Sequence, residues 1–282
     1  MKLSFIHAGN FKLDGGAMFG VIPKRMWEKL NPADQNNLCS WSMRCLLIEE
    51  GKRKILVDTG LGDKQDDKFK SIFEPFGPQT LLGSLKEQGM NPEDITDVFL
   101  THLHFDHCGG AVSRKENGEL VPTFPNATYW SSRKHWDWAM NPNTREAASF
   151  LKENFVPLIE AGVVRFVEES GQEVFPGVKA EFFFGHTEEM MGLHINNDKG
   201  RFFYCADLIP SSFHIGLPYI MAYDLRPLET LTEKTRLLTD AVEQGIYLLF
   251  EHDPATGCAT VHRNEKGRIV LAENISLNDL FS

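Results

Sequence analysis

No Cys-x-x-Cys pair occurs in the chain, and its five cysteines, Cys39, Cys45, Cys108, Cys205 and Cys258, form an odd and scattered set. Disulfide-built secreted folds carry dense, even sets, so a disulfide framework is not expected and a reducing compartment is. No apolar run approaches the ~20 residues that cross a bilayer. The segment Met1 to Gly16 has neither a long apolar core nor a cleavage pattern. The expected location is therefore the cytoplasm, without a membrane partner. Basic charge is also scarce: 29 Lys and Arg stand against 39 Asp and Glu, a net charge of −10. Such a chain lacks the positive field that gathers phosphates, which argues against nucleic acid as its partner. There is no Gly-x-Ser-x-Gly elbow for a serine nucleophile and no Gly-Lys-Ser/Thr for a nucleotide. Gly60-Leu61-Gly62 lacks the third glycine of a dinucleotide fingerprint.

What is present suits a globular enzyme. With 282 residues, 42% of them hydrophobic, the chain can bury a substantial core, and its length permits one large α/β domain or two small ones; a single domain over residues 1–282 is the expectation. Strand and helix patterns alternate. Arg44 to Ile48 and Lys54 to Val57 read as a hairpin turning at Glu50-Gly51-Lys52. Leu81 to Gln88 reads as a helix and Asp97 to Leu100 as a strand. Ala147, Phe150, Leu151, Phe155 and Leu158 fall at helical spacing, which predicts a helix over Glu146 to Ala161. Glu181 to Phe184, Arg201 to Cys205 and Ile246 to Phe250 read as buried strands. Thr230 to Val242 is an amphipathic helix, and Val261 to Ala272 a closing hairpin around Asn264 to Gly267. Hairpins mixed with helical crossovers point to packed sheets with helices outside.

The chemistry concentrates in Thr101-His102-Leu103-His104-Phe105-Asp106-His107-Cys108-Gly109-Gly110. In an extended segment residues i and i+2 point the same way, so His102 and His104 can grip one ion. Asp106 and His107 follow where the chain turns and can face a second ion. Gly109 and Gly110 permit a tight turn. Three more candidates end apolar strands: His186 after Phe182 to Gly185, Asp207 after Phe202 to Ala206, and His252 after Leu248 to Glu251. Taken singly, each is an ordinary strand-end residue, and Asp207 a plausible helix cap. Together with the first cluster they complete a two-metal set.

The His-x-His-x-Asp-His run, Gly185-His186-Thr187, Asp207 closing a strand and the late His252 resemble the metallo-β-lactamase superfamily. The resemblance implies an α/β fold, a four-layer αβ/βα sandwich of two mixed sheets with outer helices. It assigns His102, His104 and His186 to the first metal, and Asp106, His107 and His252 to the second, with Asp207 bridging. It also assigns Asp58, of Asp58-Thr59-Gly60, to orienting a ligand histidine. Histidine and carboxylate ligands suit two divalent ions, Zn²⁺ first, with Fe²⁺, Mn²⁺ or Co²⁺ as alternatives. The implied reaction is attack on a carbonyl by a hydroxide shared by two metals, with Asp106 handing a proton to the leaving alkoxide.

Within that superfamily the chain resembles the lactonase-like branch that includes the N-acyl homoserine lactone hydrolases. The segments carrying this are Asp14 to Pro23, Asp207 to His214 and Pro218 to Asp224. The expected substrate is a small lactone or ester, taken by a monomer or homodimer. The rivals are a glyoxalase II-like thioesterase or a phosphodiesterase on the same fold, and a non-catalytic metal-binding module. Met18, Phe19, Phe213, His214 and Tyr223 are the candidate substrate contacts. Two departures stand out. Homoserine lactonases carry a tyrosine three residues after the bridging aspartate, where this chain has Pro210, and Gly-His-Thr is followed here by Glu188-Glu189-Met190. His214 and Tyr223 are the candidates to replace that tyrosine.

Overall fold

A computed structural model describes all 282 residues, which divide into two compact units. The first is Met1–Asn10 with Met43–Gln172, the second Phe11–Ser42 with Glu173–Ser282. Fifteen strands form: β1 (Lys2–Asp14), β2 (Leu38–Glu50), β3 (Arg53–Val57), β4 (Asp97–Phe99), β5 (Val112–Arg114), β6 (Leu120–Pro122), β7 (Thr128–Ser132), β8 (Val164–Val167), β9 (Glu173–Phe175), β10 (Val178–Phe183), β11 (Met190–Asn197), β12 (Gly200–Tyr204), β13 (Ile246–Leu249), β14 (Cys258–Arg263) and β15 (Ile269–Ile275). The expected α/β architecture of mixed sheets with helices is what forms.

The six-stranded sheet runs β1-β2-β3-β4-β7-β8. The predicted hairpin is β2 and β3, antiparallel around Gly51 at a φ of 57°. From β3 onward the pairs are parallel, so Val57 and Phe99 sit side by side at matching strand ends. Toward these ends, Ile55 to Val57 and Val98 to Phe99, both strands are apolar and buried, as parallel strands are when covered on each side. The predicted helix at Leu81 forms, Leu81–Glu87, and buries Leu81 and Leu85 in the core of the first unit with Leu56, Val98 and Tyr129.

The seven-stranded sheet runs β15-β14-β13-β12-β11-β10-β9. Its one parallel pair is β12 with β13, joined by the helix Pro227–Gln244. That helix is longer than the sequence pattern indicates. Pro227 opens it, where a missing N–H costs nothing, and Gly245 closes it at a φ of 65°. It buries Leu237, Leu238 and Ala241, and also the polar Thr230, Glu233 and Lys234.

One expected element is absent. Glu146 to Ala161 is two 3₁₀ turns, Ala147–Ser149 and Lys152–Asn154, followed by a short helix, Val156–Glu160. Pro157 explains the break: it lacks the amide donor that a helix interior needs, so it is accommodated in the first turn of a helix but a helix cannot pass through it. Phe150 and Leu151 are extended, yet Phe150, Phe155 and Leu158 still reach the core. Their apolar spacing therefore reported burial without helix. All five cysteines are buried and unbridged, and no helix is long and apolar enough to cross a membrane.

Candidate metal centre

In the first unit the motif leaves β4 in an extended path and ends in a single helical turn, Phe105–Cys108. The structure buries His102, His104, Asp106 and His107 and brings them together. The His102 ring lies 4.5 Å from His104 and 3.9 Å from His107 between centroids. Asp106 Oδ2 lies 3.9 Å from His107 Nε2. Gly109 is fixed by a close approach: a Cβ there would lie 2.0 Å from the Leu61 carbonyl oxygen. Lys64 also donates to the Gly109 carbonyl. Gly109→Ala should therefore cost about 2–4 kcal/mol of unfolding free energy in a urea titration, an overpacking effect against immovable backbone. An unchanged midpoint would contradict this tight turn.

Each ring of the motif has an oriented nitrogen. Asp58 follows β3 in the left-handed region, at a φ of 58°. Its carboxylate accepts from the Thr101 amide at 2.8 Å and the Thr101 hydroxyl at 2.7 Å, and lies 3.2 Å from His107 Nδ1. The Thr101 hydroxyl proton is spent on Asp58, so its oxygen accepts from His102 Nδ1 at 3.1 Å. His104 Nε2 faces Glu146 Oε1 at 3.4 Å, and Trp138 and Asn143 hold the other Glu146 oxygen. His102 and His107 thus present Nε2, and His104 presents Nδ1. Acceptors behind histidines select the tautomer a metal needs.

In the second unit β10, β12 and β13 all run the same way. His186, Asp207 and His252 follow their C-terminal ends, the edge where parallel strands gather ligand-binding groups. Ala206, at a φ of 44°, bends the chain after β12 so that Asp207 enters this edge. Asp207 Oδ2 lies 3.2 Å from His186 Nε2, and Asp207 Oδ1 lies 3.2 Å from His252 Nε2. Behind them, His186 Nδ1 donates to Asp224 at 2.9 Å, and His252 Nδ1 donates to the Ser42 carbonyl at 2.8 Å. Asp224 in turn accepts from Thr230.

That arrangement tests whether a metal fits. In the neutral rings the protons are at Nδ1, so two Nε2 lone pairs face two carboxylate oxygens. Acceptor facing acceptor in a buried site is unfavourable without a cation between them. Two donors each ~2.0–2.1 Å from one ion at a tetrahedral angle are about 3.3 Å apart, close to both observed separations. The donor set fits a divalent ion at either Asp207 oxygen.

The candidate substrate contacts are all in the second unit. Met18, Phe19 and His214 are buried, Phe213 is half-buried, and Tyr223 is 39% exposed. Phe19 stacks on His214, with ring centroids 5.1 Å apart, and on Trp27 at 5.2 Å. His214 is committed to the fold. Its Nε2 donates to the Met18 carbonyl at 2.9 Å, so Nδ1 accepts from the Ser211 hydroxyl at 2.7 Å. Burial pushes its imidazole down to about 3, which keeps the ring neutral. Glu188 pairs with Arg226 at 2.7 Å. Sequence reasoning missed Thr101, Glu146, Asp224 and the Ser42 carbonyl. Asp224 lies in a segment that carried the lactonase resemblance, but a supporting acid has no spacing signature of its own.

A family model described as the metallo-β-lactamase superfamily matches residues 44–243. An N-acyl homoserine lactonase of Bacillus cereus is 29% identical over 208 residues, which is 70% of this chain and 71% of that protein. A crystal structure of a probable metal-dependent hydrolase from Staphylococcus aureus superposes with a TM-score of 0.86 at 26% identity, covering 98% of each chain. The dizinc quorum-quenching lactonase AidC, in complex with a product, N-hexnoyl-L-homoserine, superposes with a TM-score of 0.79 at 19% identity, covering 97% of this chain and 94% of that one.

Proposed function

Because the chain belongs to the metallo-β-lactamase superfamily, a family of metal-dependent hydrolases, we propose that it opens lactones with two divalent ions, and that N-acyl homoserine lactones are its substrate class. The observation that carries this reading is the Asp207 carboxylate, with each oxygen turned to the presented nitrogen of a different buried histidine. His102, His104 and His186 would hold one ion, and Asp106, His107 and His252 the other, with Asp207 shared. Zinc is the expected ion, from the nitrogen and oxygen donors here and from the dizinc AidC.

When bound, the ions supply a nucleophile from water near neutral pH and polarise the substrate carbonyl. The chain's own groups do the rest. Thr101, Asp58, Glu146, Asp224 and the Ser42 carbonyl hold the five rings in ligating tautomers. Asp106 delivers a proton to the alkoxide oxygen released when the ring opens. Phe213 and Tyr223 offer side-chain surface to the acyl chain, backed by Met18, Phe19 and His214. Tyr223 is the better replacement for the tyrosine absent at Pro210, because both His214 nitrogens are engaged within the fold. The Pro210 carbonyl has its own task, accepting from the His252 amide at 2.9 Å.

The test is ring opening across N-acyl homoserine lactones of increasing chain length, followed by proton release in metal-replete protein, with thioesters and phosphodiesters alongside. Ring opening that disappears on chelation and returns with zinc is expected. Thioester or phosphodiester cleavage with no lactone opening would overturn the assignment.

A further inference from the structure

The segment Ser211 to Arg226 carries three of the proposed substrate contacts, Phe213, His214 and Tyr223, but it has no strand pairing and only one 3₁₀ turn, Ser212–His214. Such a segment keeps one shape only if something holds it. Lys234 does this from the helix Pro227–Gln244. Its side chain is fully buried, and its Nζ donates to the Gly216 carbonyl at 2.9 Å and the Tyr219 carbonyl at 2.7 Å. The two carbonyls begin and end one turn, closed by the Tyr219 amide on Gly216.

The turn is built for close packing. A Cβ on Gly216 would lie 2.9 Å from the Tyr219 ring, so that ring lies against the glycine. Tyr219 also meets Phe19 edge-on, with centroids 6.2 Å apart. Gly20, at a φ of 57°, lets the Asp14 to Pro23 segment close on the Ile220 carbonyl, where a Cβ would come within 2.2 Å. Lys234 therefore sits beneath the point where both proposed substrate segments meet. Burying an amine is costly, and burial pushes Lys234 down to about 7, with Asp224 as the opposing charge. A neutral amine still carries two hydrogens for the two carbonyls, so the hydrogen bonds survive its deprotonation. The same helix holds the other side of the site separately: Thr230 to Asp224, and Glu233 to the amides of Phe184 and Gly185.

We infer that Lys234 is a positioning residue that clamps the turn Gly216–Tyr219 and so sets how tightly the acyl chain of the substrate is held. This rests on the reading that the Ser211 to Arg226 segment meets substrate. The clamp acts on substrate binding and leaves the metal ligands in place, because the hydrogen bonds of Asp224 and Glu233 to the His186 turn do not pass through Lys234.

The experiment compares Lys234→Met and Lys234→Arg with the wild-type chain, all zinc-loaded, by amide hydrogen exchange, metal content and kinetics on the lactone series. In the methionine variant the amides of Tyr219 and Ala222 should exchange about tenfold faster. The Leu225 amide, bonded to the His186 carbonyl, should not change. KM for long-chain lactones should rise about tenfold with kcat within about twofold and metal content constant, and arginine should restore part of the effect. Unchanged exchange at Tyr219 would overturn the clamp. So would a fall in kcat and metal content at constant KM, because Lys234 would then serve the metal site. If the wild-type chain opens no lactone, the substrate reading fails, while the exchange data still decide the clamp.

Discussion

Asp207→Ala should lower hydrolysis by on the order of 10³–10⁵-fold and release bound metal. Several kcal/mol of transition-state stabilisation depend on ions that this carboxylate would share. Asp207→Asn separates function from stability. Without metal, the wild-type carboxylate confronts two imidazole lone pairs. An amide of the same shape can donate to one of them, turning a repulsive contact into a hydrogen bond of about 1 kcal/mol. The metal-free asparagine variant should therefore melt a few degrees above the metal-free wild type at pH 8, while losing activity in every metal condition. Scanning calorimetry beside the activity assay checks both. A metal-free asparagine variant less stable than the wild type would show that the two lone pairs are not the strained feature.

Asp58 should show the opposite pattern, with stability and metal affinity falling together. Its carboxylate satisfies the Thr101 amide and hydroxyl and orients His107, from a backbone conformation that alanine resists. Asp58→Ala should cost about 2–4 kcal/mol in urea unfolding, by stranding buried donors and adding backbone strain. It should also weaken metal binding about 10–100-fold, as the loss of an orienting carboxylate does. Asp58→Asn tolerates the left-handed backbone and keeps an acceptor for the Thr101 amide, so it should recover most of the stability but little of the affinity. Competition against a fluorescent zinc chelator reads the affinity. If Asp58→Asn restored metal affinity fully, the charge on Asp58 would be irrelevant to His107.

The contrast between these two aspartates shows what the sequence made legible. Strand ends were readable because buried parallel strands are uninterrupted apolar runs: Val98-Phe99-Leu100 announced β4, and Phe202-Phe203-Tyr204 announced β12. A polar residue just past such a run has few places to go, so His102, Asp207 and His252 could be named in advance. Asp58 was readable for the same reason, at the end of Ile55-Leu56-Val57. Glu146 and Asp224 were not, because they arrive from irregular chain and act only through the histidine each one meets. Lys234 was hidden differently. In an amphipathic helix a lysine reads as solvent-facing, and only the Gly216 and Tyr219 carbonyls of a distant turn draw it inward. The broken helix at Glu146 to Ala161 fails by the same logic in reverse. There the apolar spacing was real, and Pro157 decided the backbone.

The proposed binding of two ions is tested most directly by metal stoichiometry. Protein dialysed against buffered zinc and then freed of excess metal should contain two zinc ions per chain by plasma emission spectroscopy, falling to one or none in Asp207→Ala. One ion or none in the active wild-type protein would contradict the account.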